Sequence, residues 1–114
     1  MVGPDGFAAG LAAHGAAPVI IDRYVTYQVE VVEGRFAGQL VETAVALDEL
    51  ARWPLVPPHW IYLKSDVRFH STNTQACTLP DWLGHSRQIA GWGNDSNALV
   101  GWVAHVRGVI GEAV

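Results

Sequence analysis

Three prolines within five positions, Pro54, Pro57 and Pro58 in Trp53-Pro54-Leu55-Val56-Pro57-Pro58, constrain this chain more than any other feature. Each removes a backbone donor, so neither a helix nor a central strand can run through them. The segment is expected to be extended, at a sheet edge or leading into a strand. Whatever regular structure exists is therefore built on either side of it.

On the N-terminal side, Tyr24 to Val32 alternates. Val25, Tyr27, Val29 and Val31 fall on one side and Thr26, Gln28 and Glu30 on the other, the period of a half-buried strand. Glu33-Gly34-Arg35 reads as a turn, and Phe36 to Val45, β-branched and apolar around Gly38, as a second strand antiparallel to the first. Further upstream, Phe7 and Leu11 share a helical face, and Gly15 followed by Pro18 supplies a stop, which predicts a short helix ending near His14. Leu47 to Arg52 is expected to make a helical turn.

Beyond the prolines, His59-Trp60-Ile61-Tyr62-Leu63 predicts a third strand. Ser65 to Pro80 sustains neither period and reads as an irregular loop of the length that usually carries function. Leu79, Trp82 and Leu83 suit a short helical turn. The closing element is the clearest: Leu99, Trp102, Val103, Val106, Val109 and Ile110 recur at steps of three and four, with Asp95 or Ser96 as cap. Glycines 101, 108 and 111 weaken that helix, so burial of its stripe must hold it.

A length of 114 residues with 50% hydrophobic and 16% charged residues fits one domain, residues 1–114, and excludes a mainly disordered chain. Seven Lys plus Arg against eleven Asp plus Glu give a net charge of −4, which leaves no excess of cations for a phosphate backbone. Nucleic acid is not the expected partner. The single cysteine forms no internal disulfide, and no apolar run spans a bilayer. The N-terminus lacks a basic segment and a cleavage pattern. A cytoplasmic protein without membrane partners is the expectation.

Cys77 is the candidate nucleophile. It lies in the polar loop, with His70 seven positions before it and His85 eight after, and a thiolate is favoured by such neighbours. A cysteine that merely fills space has the same sequence signature. Asn73 carries an amide that could stabilise an oxyanion, or could simply supply a turn. His59, His70, Cys77 and His85 are spaced eleven, seven and eight apart, which matches no compact metal-ligand pair, so neither a metal nor another cofactor is expected. Arg87 could pair with Asp81 or anchor a carboxylate, and Trp82 would rest beside it as part of a substrate-binding surface. The tryptophans at 53, 60, 82, 92 and 102 are spread as core-packing residues.

The order of elements, together with Trp53-Pro54-Leu55-Val56-Pro57-Pro58, resembles the ubiquitin-conjugating enzyme superfamily over nearly the whole chain. That family introduces its third strand with Tyr-Pro-x-x-Pro-Pro, and here Trp takes the aromatic position. Its His-Pro-Asn tripeptide before the catalytic cysteine is similar to His70-Ser71-Thr72-Asn73, without the proline and with a shorter gap to Cys77. Trp82-Leu83-Gly84-His85-Ser86-Arg87 resembles the segment after the cysteine in a divergent bacterial branch.

The resemblance implies an α+β domain: an antiparallel meander of about four strands, flanked by an N-terminal and a C-terminal helix. It implies further that Cys77 accepts the C-terminal acyl group of a ubiquitin-like modifier from an activating enzyme as a thioester and passes it to an amine. Asn73 would steady the oxyanion, and His85 or His70 would orient groups or take a proton. A deubiquitinase-like peptidase of the JAB type would serve the same pathway. The alternative is a module of the same fold that binds a modifier or partner protein without thioester chemistry.

Overall fold

The computed structural model describes residues 2–93 and 97–114. Tyr24–Glu30 (β2) and Leu40–Ala46 (β3) pair antiparallel, from Tyr24 opposite Ala46 to Glu30 opposite Leu40. Their connection is longer than the expected Glu33-Gly34-Arg35 turn. Gly34 and Gly38 both take positive φ, 78° and 83°, and Val31 N–H donates to the Gln39 carbonyl at 2.9 Å. Phe36 is thereby lifted out of the strand and packs on the core.

The sheet has six strands rather than about four, in the order β1-β2-β3-β4-β6-β5. Val19–Ile21 (β1) is one edge, Trp60–Lys64 (β4) is internal, and Thr74–Ala76 (β5) is the other edge. Trp82–Ser86 (β6) is a strand where the spacing of Leu79, Trp82 and Leu83 predicted a helical turn. It pairs with β4 along its whole length, and Gly84 explains why it can. A Cβ at that position would press on the Tyr62 ring, so the glycine lets the two strands and the ring pack together.

The proline segment also departs from expectation. Residues 51–56 form successive turns, with Leu55 and Val56 N–H both donating to the Arg52 carbonyl at 2.8 and 3.2 Å, and the Trp53–Pro54 bond is cis. The chain folds back before entering β4, so Trp53 is buried beneath the N-terminal helix. Its ring stands edge-on to Phe7 at 4.8 Å.

Two helices cover one face of the sheet. Gly3–Ala13 (α1) has Pro4 in its first turn and buries Phe7 and Leu11; Gly15, at φ 78°, ends it, with Ala16 N–H returning to the Leu11 carbonyl at 3.0 Å. Ala98–Gly111 (α2) buries the stripe read from the sequence: Leu99, Trp102, Val103, Val106, Val109 and Ile110. Asp95 and Ser96 lie outside the described residues, and the cap is Asn97. Its side-chain oxygen accepts from Leu99 and Val100 N–H at 3.1 and 3.2 Å. Trp102 is fully buried and donates its Nε1–H to Tyr27 Oη at 2.8 Å, tying α2 to β2.

Strand alternation sorts the sheet's side chains into two layers. Val25, Tyr27, Val29, Val45, Ile61 and Leu63 meet the helices. Tyr24, Ala44, Ala46 and Tyr62 point the other way and form a second cluster with Leu79, covered by no helix among the described residues. No helix among the described residues is long and apolar enough to cross a membrane.

Candidate functional site

The helix-free face carries a cleft of about 670 Å3 whose walls include Tyr24, Trp60 and Tyr62 together with Asp22, Asp48 and Glu49. The two tyrosine rings meet edge-on, 5.1 Å apart. Burial pushes the Tyr62 phenol up to about 12, and Gln75 Nε2 donates to its oxygen at 2.6 Å, partly offsetting that rise. Thr78 closes one end, its hydroxyl donating to Asp22 Oδ2 at 2.8 Å. Glu49 folds against the start of β4, where one carboxylate oxygen accepts His59 N–H at 2.9 Å and Trp60 N–H at 3.4 Å. Burial raises its pKa against the pull of those two donors. Aromatic walls with carboxylates at the rim suit a cationic or amphipathic group.

Cys77 directly follows β5 on this same face. It is half-buried, packing with Trp60 and Trp82 against the cluster of Tyr24, Tyr62 and Leu79. Asn73 directly precedes β5. The strand between them is extended, so four residues at about 3.3 Å each hold the two roughly 13 Å apart along the chain direction. The loop does not fold back to bring the amide to the sulfur.

His85 faces the opposite way. It pairs with Ile61 in the helix-side layer and is only 2% exposed. Its Nδ1 meets Thr72 Oγ1 at 3.2 Å, its ring stands edge-on to Phe69 at 4.9 Å, and Nε2 has no partner among the described residues. Burial, and then the positive charge of Arg87, push its pKa down. Arg87 is held by Thr72 Oγ1 at 2.9 Å and the Ser86 carbonyl at 2.8 Å and lies over Phe69. Of the two roles open to Arg87 in the sequence, pairing with Asp81 is not made among the described residues. His70 is exposed in the loop before β5, where Val114 N–H donates to the Arg68 carbonyl at 2.8 Å. Trp82 is half-buried beside Cys77 in the open-face layer.

Of the sequence candidates, the structure thus brings Cys77 and Trp82 together, and separately His85 and Arg87, which share Thr72 as a partner. Cys77 and His85 lie on different faces. Among the described residues, no group of three or more His, Cys, Asp or Glu is arranged to hold a metal ion. The cleft residues Tyr24, Glu49 and Tyr62 escaped the sequence reading, as did the pairing of His59 with Ser86 at the end of β6. Comparison of the chain with protein-family models, curated proteins and solved structures finds no match.

Proposed function

We propose that this chain is a ubiquitin-conjugating-enzyme-like module that binds a ubiquitin-like modifier or a partner protein of its pathway without carrying the modifier as a thioester. The resemblance of the proline segment and of the helix–sheet–helix order supports the family. One observation supports the non-covalent reading: the Cys77 sulfur packs among open-face aromatics, with Asn73 at the far end of β5 and His85 on the other side of the sheet. A thioester carrier needs an oxyanion donor and a proton acceptor within hydrogen-bond reach of the sulfur.

The binding surface in this reading is the helix-free face. Its aromatic side chains supply the apolar contact area, and Asp22, Asp48 and Glu49 outnumber Arg23 among its charged walls, so a partner presenting a lysine or arginine side chain is the best fit. The test is incubation with a cognate modifier, its activating enzyme and ATP. No adduct that a reducing agent releases is expected, while amide resonances of β2, β4 and β5 shift on adding modifier or activating enzyme. A reducible adduct that disappears in Cys77→Ala would overturn the proposal and restore the carrier.

A further inference from the structure

The β4–β6 register places Ser86 directly opposite Trp60, the residue that follows His59. His59 Nε2 lies within hydrogen-bond reach of Ser86 Oγ. The histidine's backbone is pinned on both sides. Arg87 N–H donates to its carbonyl at 3.0 Å, and Glu49 accepts its N–H at 2.9 Å. The ring is steadied by an edge-on contact with Trp60 at 5.6 Å and 80°. On the other flank of Ser86 stands Asn73, whose carbonyl accepts Ser86 N–H at 2.9 Å. Residues directly opposite in an antiparallel pair project to the same face with Cβ atoms about 5 Å apart. Continuing the β5–β6 register by one position sets Asn73, remote from Cys77, opposite Ser86 and on the same side of the sheet.

We infer that Ser86 and His59 are a nucleophile and general base for acyl transfer, acting on small carboxylic esters that approach from the open side of the sheet. The site is accessible, since His59 and Asn73 are exposed and Ser86 is half-buried. Shallow recesses of about 310 and 250 Å3 share His59 and Pro57 as wall residues; Ser86 lines neither, so they offer space for a leaving group beside the base. Ser86 Oγ attacks the ester carbonyl carbon as its proton passes to His59 Nε2. The Asn73 amide donates to the carbonyl oxygen as it gains charge. The bond to the alcohol oxygen breaks, and that oxygen takes the proton from His59. Water then attacks the acyl-serine with His59 again accepting the proton, which releases the carboxylic acid and restores the hydroxyl.

A hydrogen bond that merely ties two strand ends has the same geometry, so reactivity separates the two. The purified chain is treated with a fluorophosphonate probe, and hydrolysis of p-nitrophenyl acetate is followed alongside. Labelling at Ser86 is expected, with hydrolysis lost in Ser86→Ala and slowed about 100-fold or more in His59→Gln. Unlabelled wild-type chain, or equal hydrolysis by Ser86→Ala, would overturn the inference. A second arm places Ser86→Cys in a Cys77→Ala background. Its thiol should react with iodoacetamide faster than a free peptide cysteine and lose that advantage in His59→Gln; a peptide-like rate would count equally against the pair.

Discussion

Removing one oxygen atom from the core, in Tyr27→Phe, tests how α2 is docked on the sheet. Trp102 is fully buried and Tyr27 1% exposed, and the indole N–H donates to the phenol oxygen at 2.8 Å. The substitution strands that N–H with no water to replace the lost acceptor, at a cost of about 1–3 kcal/mol. Trp102→Phe removes the indole donor from the phenol, which keeps Thr43 as a partner, and adds the cost of a cavity, so roughly 2–4 kcal/mol is expected. In the double variant both partners are gone, and the two costs should fall short of additivity by about 1–2 kcal/mol. Urea denaturation followed by far-ultraviolet circular dichroism reads these differences. At a slope of about 2 kcal/mol per M, a loss of 2 kcal/mol moves the midpoint by roughly 1 M. An unchanged midpoint in Tyr27→Phe together with strict additivity would refute the docking of α2 on β2 through this pair.

Acid should destabilise the fold through His85 and His105. Burial lowers both pKa values, with Arg87 adding to the effect on each and Glu112 opposing it at His105. The unfolded chain then binds protons more readily than the folded one. Stability is complete above the ordinary histidine value of about 6.5 and falls as the pH drops below it, continuing down through the lowered folded values. Urea midpoints measured from neutral pH to about pH 5 should decline, less steeply in His85→Gln; parallel slopes for the two proteins would remove His85 from the account. At Gly34, φ is 78° and an added Cβ would run into the Gly111 carbonyl at the end of α2. Gly34→Ala should therefore lower stability by about 1–3 kcal/mol in thermal denaturation, and a neutral result would mean that the β2–β3 connection does not touch α2.

Both helices and the strands around β2 were legible because their signals are local. The stripe from Leu99 to Ile110 and the alternation from Val25 to Val31 each repeat several times within one element. The edge strands carry no such signal. Val19–Ile21 exposes all three side chains, and Thr74–Ala76 is exposed throughout, so neither has a buried side to impose a period of two. In β6, Gly84 interrupts the pattern, and the reason for it lies across the sheet at Tyr62, invisible from the local sequence.

Much the same holds for the candidate site. Asn73, Cys77 and His85 are close in the chain, but an extended strand moves about 3.3 Å per residue and turns alternate side chains to opposite faces. Closeness in sequence therefore became separation in space. Asn73, paired with Cys77 by spacing, ended beside Ser86 instead, and His59 found its partner 27 positions away. Trp53 packs in the core as its place among the spread tryptophans implied, because the turn at Arg52 buries it and leaves Leu55 and Val56 outside.

The rate at which iodoacetamide alkylates Cys77 in the native chain reads the sulfur's surroundings without requiring any partner. A rate no faster than that of a peptide carrying the same flanking residues, and unchanged by Asn73→Ala or His85→Gln, is predicted. A faster rate in the native chain, slowed by either substitution, would contradict the separation of the thiol from its supposed helpers.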